Sequence, residues 1–131
     1  MIVDASALLA VLLEEPDGVD FKFTLATTRG AHLMSPFNYL EAAVRVDQLP
    51  EAAEKARQLD PLMHALDIRI APATEDQARL ARDAYKRYGK RNHAAKLNLG
   101  DCFAYALAKA RGEPLLFKGD DFRQTDVEAA I

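Results

Sequence analysis

Acidic residues occupy several positions in this chain where a carboxylate does more than face water. Asp4 ends the apolar run Met1-Ile2-Val3, and Asp101 heads the stretch Cys102-Phe103-Ala104-Tyr105-Ala106-Leu107-Ala108. Asp120 and Asp121 directly follow Leu115-Leu116-Phe117. Glu41 lies at helical spacing from Phe37 and Val44, with Leu40 adjacent, on a face expected to be buried. A carboxylate there is unfavourable unless a partner compensates it. Two carboxylates about 4 Å apart repel by roughly 4 kcal/mol at an effective dielectric of 20. If these side chains converge they call for a cation. An all-oxygen donor set favours Mg2+, with Mn2+ as a substitute, over zinc. Such ions activate water and stabilise charge on a transferring phosphoryl group.

Each acid also has an ordinary structural use. Asp4 followed by Ser6 suits an N-cap. Glu41 suits a boundary residue that reaches solvent or pairs with Arg45 one turn later. Asp101 suits a helix N-terminus, where an anion is favoured by the dipole. Turn preference explains Asp120 or Asp121. Spacing alone does not decide between these uses and convergence.

The elements that must carry these residues alternate between short apolar runs and longer helical patterns. Strands are expected at Met1-Ile2-Val3, His32-Leu33-Met34, Ile68-Arg69-Ile70 and Leu115-Leu116-Phe117. Helices are expected over residues 6–14, over 17 to about 28 with an end at Gly30, and from Ser35-Pro36 to about Leu49. Ser35 supplies an N-cap and Pro36 a first-turn proline. Further helices are expected over residues 51–66, from the Thr74-Glu75-Asp76-Gln77 capping box to about Tyr88, and from Gly100-Asp101 to Arg111, closed by Gly112. This alternation predicts a parallel sheet covered on both faces, with ligand sites beyond the carboxyl ends of the strands. No repeat, low-complexity segment or linker divides the 131 residues, so one domain is expected.

Half of the residues are hydrophobic, which is ample for a core without disulfides. A single cysteine, Cys102, excludes an intrachain disulfide and a Cys-rich zinc site. No signal segment and no apolar run of membrane-spanning length is present, so a cytoplasmic protein with no membrane partner is expected. A formal net charge of −3 argues against a protein that binds nucleic acid over its whole surface. The charge is uneven, however. Between Asp83 and Asp101 there is no acid, while Lys86, Arg87, Lys90, Arg91, His93 and Lys96 all fall there. This stretch is either a solvated helix end and loop or a local attractor for phosphate. In the second case Lys90, Arg91 and Lys96 are the phosphate-binding candidates. His32, His64 and His93 are expected to be ordinary surface or boundary residues, and the four tyrosines packing groups.

Two other function classes fit parts of this pattern. A haloacid dehalogenase-like phosphatase also begins with an acid after its first strand but needs Asp-x-Asp, and Ser6 stands where the second Asp belongs. A non-catalytic metal-binding or receiver-like regulatory module would use the same acids to hold an ion.

The set Ile2-Val3-Asp4-Ala5-Ser6-Ala7-Leu8, Tyr39-Leu40-Glu41-Ala42, Leu99-Gly100-Asp101-Cys102-Phe103-Ala104-Tyr105 and Leu115-Leu116-Phe117-Lys118-Gly119-Asp120-Asp121-Phe122 resembles the PIN-domain ribonucleases, and in particular the VapC toxins of type II toxin–antitoxin systems. The resemblance runs from the second residue to Thr125-Asp126. It implies an α/β fold, a three-layer α/β/α sandwich with a short central, mostly parallel sheet. It implies a Mg2+-dependent endoribonuclease with Asp4, Glu41 and Asp101 in an acidic pocket. The fourth acid is Asp121 or its neighbour Asp120, and Asp121, immediately before Phe122, is the better match. Ser6 would orient Asp4 or a water molecule. A homodimer and a cognate VapB-like antitoxin that occludes the site are also implied.

Overall fold

The elements of the computed structural model, which describes residues 1–131, follow the alternation expected from the sequence. They are β1 (Ile2–Val3), α1 (Ala5–Leu12), α2 (Gly18–Thr27), β2 (His32–Met34), α3 (Pro36–Asp47), α4 (Ala53–Ala65), β3 (Ile68–Ile70), α5 (Glu75–Tyr88), α6 (Leu99–Arg111) and β4 (Leu115–Leu116), with a 3-10 turn over Phe122–Gln124. The strand order is β3-β2-β1-β4 and every pair is parallel. The chain first steps outward from β1 to β2 and β3, then returns to place β4 on the other side of β1. Between β1 and β4 the winding therefore changes direction, which is where open parallel sheets build their sites.

Alternation along the strands sorts side chains into two cores. Val3, Met34 and Leu116 belong to the core formed with α1 to α4, and Ile2, Leu115 and Phe117 to the core formed with α5 and α6. The result is three layers, helices on both faces of one short sheet. Leu8, Leu107, Leu115 and Leu116 are wholly shielded, and burial of each contributes about 2 kcal/mol.

Local signals account for most helix starts. Ser35 Oγ accepts the Phe37 N–H at 3.2 Å, with Pro36 in the first turn. Thr74 Oγ1 accepts the Gln77 N–H at 3.1 Å, but the reciprocal bond of a capping box is not made there. The reciprocal box forms instead at Asn98 and Asp101. The last strand stops at Leu116, with Phe117 buried just beyond it.

Two further sequence expectations need correction. His32 is not a surface residue: it is buried in β2, where its Nε2–H donates to the Leu25 carbonyl at 2.9 Å and its Nδ1 faces the Met1 amino group at 3.4 Å. Buried polar groups persist where such partners exist. The apolar face shared by Phe37, Leu40 and Val44 is not buried either, since these side chains are 43%, 59% and 42% exposed. The buried side of α3 is instead formed by Asn38, Ala42 and Val46.

The α1–α2 contact depends on a missing side chain. A Cβ on Gly18 would overlap the Ala10 carbonyl and come within 3.3 Å of the Val11 Cα, both backbone that cannot swing aside. Gly18→Ala is expected to lower stability by about 1–3 kcal/mol, the usual range for overpacking, read as a fall in Tm on thermal denaturation.

Candidate active site

Asp4 leaves β1 at the carboxyl edge and caps α1, so its backbone position is set by two elements at once. Its Oδ2 accepts the Ser6 N–H at 3.0 Å and the Ser6 hydroxyl at 2.5 Å. The Ser6 Oγ in turn accepts the Lys118 N–H at 3.0 Å, which ties the end of β1 to the segment leaving β4. Asp4 is only 4% exposed, and its other oxygen, Oδ1, is buried with no hydrogen-bond partner. The N-cap role and the functional candidacy therefore coexist: capping engages one oxygen and leaves the other free. Burial raises the Asp4 pKa against the pull of the Ser6 hydrogen bonds.

Asp4, Glu41 and Asp101 line one cleft of about 290 Å³, together with Ser6, Glu15, Arg45 and Lys118. Glu41 is brought there by α3 and held by Asn38, whose Nδ2 donates to Glu41 Oε2 at 3.4 Å and to the Gly100 carbonyl at 3.0 Å. Asn38 is fully buried and its Oδ1 is unpartnered. The Glu41 carboxylate lies against the head of α6, where a Cβ on Gly100 would stand 2.5 Å from Oε2. Burial, then the charge of Asp4, raises the Glu41 pKa. Arg45 shares the cleft but forms no ion pair with Glu41.

Asp101 sits three residues into the α6 capping box. Its N–H donates to Asn98 Oδ1 at 2.8 Å, and its Oδ2 accepts the Asn98 N–H at 3.0 Å. Burial pushes its carboxyl up to about 7 despite that bond, and the charges of Asp4, Glu41 and Asp121 push the same way. Of the two adjacent acids, Asp121 is thus the one whose charge reaches Asp101. Both Asp120 and Asp121 are exposed and neither lines the cleft wall.

No three of these groups stand close enough to grip one ion directly. The donor set nonetheless suits a hard divalent cation. It is all oxygen, and it includes a buried carboxylate oxygen that nothing else satisfies. Mg2+ keeps several of its waters and needs only one or two direct carboxylates.

Lys90, Arg91 and Lys96 are exposed on the segment between α5 and α6 and do not line the cleft. The cations that do are Arg45 and Lys118. Neither was singled out by the sequence as a phosphate contact. Asn38 was also missed, although an Asn three residues before Glu41 on the polar-poor side of a helix is the kind of signal that marks a buried positioning group.

The raised pKa of Asp101 has a consequence for stability. The folded chain keeps a proton that the unfolded chain releases between about pH 4 and pH 7. The associated stability is fully present below the unfolded pKa and is lost as pH rises through 7. Asp101→Asn removes this dependence and still accepts the Asn98 N–H. In metal-free buffer at pH 8 it is expected to be more stable than the parent, on the order of 1 kcal/mol after allowance for partial exposure, or a few °C in Tm. The advantage should vanish near pH 4.

The chain matches the PIN domain family model over residues 1–128. It is 45% identical to "Ribonuclease VapC" of Mycolicibacterium smegmatis over 129 residues, covering 98% of both chains. It is 44% identical to "Ribonuclease VapC30" of Mycobacterium tuberculosis over 127 residues, covering 97% of this chain and 95% of the relative. The crystal structure of Mycobacterium tuberculosis VapC20, described as a sarcin-ricin loop cleaving toxin, superposes with a TM-score of 0.77 at 15% identity, over 96% of this chain and 95% of that one, and shares the fold. With the parallel sheet, the switch between β1 and β4 and the acids gathered there, these matches establish that the chain belongs to the PIN-domain family, within its VapC ribonuclease branch.

Proposed function

We propose that this chain is a Mg2+-dependent endoribonuclease, the toxin of a cytoplasmic VapBC-like toxin–antitoxin pair, working as a homodimer and blocked by a cognate VapB-like antitoxin. The observation that carries the reading is Asp4: a buried carboxylate with one free oxygen, at the end of the first strand, in one cleft with Glu41 and Asp101. The names of the relatives, ribonucleases all, support RNA as substrate. The exposed Phe37, Leu40 and Val44 beside the cleft supply apolar surface of the kind that protein partners cover. No helix is long and apolar enough to cross a membrane.

Asp4 and Asp101 would hold Mg2+, or Mn2+ in its place, most directly, with Glu41 and Asp121 completing the set or acting through water. When bound, such an ion supplies acidified water and positive charge beside the phosphorus. The chain's own part is to hold the acids. Ser6 locks the Asp4 rotamer so that Oδ1 stays free. Asn38 ties Glu41 to the start of α6, and Asn98 fixes one Asp101 oxygen. Raised carboxyl pKa values mean that the cluster is reluctant to carry full negative charge on its own, so a cation should bind with release of protons near neutral pH. Lys90, Arg91 and Lys96 would contact flanking phosphates outside the cleft, giving salt-sensitive binding with little sequence information.

Purified, antitoxin-free protein is expected to cut single-stranded or structured RNA in Mg2+ or Mn2+ and to stop in excess EDTA. Asp4→Asn should slow cleavage on the order of a hundredfold or more, about 2.7 kcal/mol in the barrier, while remaining folded. It should also abolish the rise in Tm that Mn2+ gives the parent chain. Full activity in Asp4→Asn or in excess EDTA would overturn the reading. Gly100→Ala tests the Glu41 position separately. Alanine favours the helix by up to about 1 kcal/mol, so Tm should hold or rise. The displaced Glu41 carboxylate should cost at least about tenfold in cleavage rate.

A further inference from the structure

The cleft is lined by more acids than cations. Asp4, Glu41, Asp101 and Glu15 all border it, against two cations, Arg45 and Lys118. Lys118 is the better anchored of the two. Its N–H donates to the Ser6 hydroxyl, which donates to Asp4 Oδ2, so its Cα is fixed at the rim two hydrogen bonds from the Asp4 carboxylate. Its ammonium does not reach for the acids at the centre. It pairs with Glu15 and, at 3.3 Å, with Asp17, both on the connection between α1 and α2. The three side chains are 40%, 33% and 41% exposed, and ion pairs with that much solvent contact are worth about 0–1 kcal/mol. Four flexible methylenes connect a fixed backbone to a weakly held charge.

We propose that Lys118 is the substrate-binding cation of the cleft, latched by Glu15 and Asp17 at rest and transferred to an RNA phosphate adjoining the scissile bond when substrate enters. This inference rests on the ribonuclease reading. In it Glu15 and Asp17 compete with the phosphate for one ammonium, so the latch lowers affinity for every RNA by the same factor. A purely structural role, in which the ion pairs only pin the α1–α2 connection to the end of β4, would make both halves of the contact matter in the same direction.

The two roles separate in steady-state cleavage of a short single-stranded RNA with Mg2+ or Mn2+, alongside thermal denaturation. Lys118→Met is expected to raise KM about 5-fold to 20-fold with kcat changed much less, as loss of one phosphate contact does, and to reduce the slope of log KM against log salt by about one. Lys118→Arg should restore most of the affinity. The double variant E15Q/D17N should do the opposite and lower KM by about 3-fold to 10-fold. Because removing two acids near a cleft helps any anion, the deciding measurement is the same double variant in the K118M background, where the gain should disappear. A gain of equal size in that background would overturn the latch, as would an E15Q/D17N chain that binds RNA more weakly than the parent. A parent chain that cleaves RNA while K118M leaves KM and the salt slope unchanged would overturn this inference alone. A parent chain that cleaves no RNA in either metal would take the ribonuclease reading down and this inference with it.

Discussion

A carboxylate shielded from water with one oxygen unpaired is the constraint around which the rest of this molecule is arranged. Asp4 is held there because its backbone belongs to β1 and its Oδ2 is bound twice by Ser6. Burial without full pairing is unfavourable, and the neighbouring acids make it more so. The fold supplies the compensating stability elsewhere, in the two apolar cores on either face of the sheet. Natural proteins often keep such local violations where chemistry is done and offset them with well-packed scaffolding.

The scaffolding is also what aims the acids. Asp4 and Lys118 leave adjacent parallel strands at the same edge, joined through Ser6. Glu41 and Asp101 come from α3 and α6, which are tied by Asn38 to the Gly100 carbonyl. The absence of a side chain at Gly100 leaves room for the Glu41 carboxylate against the head of α6. Each acid is therefore placed by at least one polar contact of its own as well as by packing.

Beyond the cleft, a separate polar cluster secures the last part of the chain. Asp126 accepts the Tyr105 hydroxyl at 2.5 Å and is approached by Lys109 and Arg87 at 3.3 and 3.5 Å. Phe122, three residues behind Gly119, is buried against Phe117. Together these contacts fix both sides of the turn that presents Asp121, whose charge is felt at Asp101.

Much of this was legible in the chain itself. Elements of local origin are set by period and punctuation: Ser35-Pro36 starts α3, Gly112 ends α6, and apolar triplets such as Ile68-Arg69-Ile70 mark strands between helices. The acids were visible as candidates for the same reason, since each sits at an element end or on a helix face. The resemblance in their flanking motifs joined them into one family pattern. What local patterning does not encode is which surfaces meet. Phe37, Leu40 and Val44 have the spacing of a core face yet are about half exposed, because α3 turns Asn38, Ala42 and Val46 inward instead. His32 is polar yet buried, because a carbonyl from α2 and the Met1 amino group happen to reach it. The convergence of Asp4, Glu41 and Asp101, the link through Ser6 to Lys118 and the pairing of Lys118 with Glu15 and Asp17 likewise depend on contacts between residues far apart in the chain. Such contacts are decided by the packing of whole layers, and only the tertiary structure reveals them.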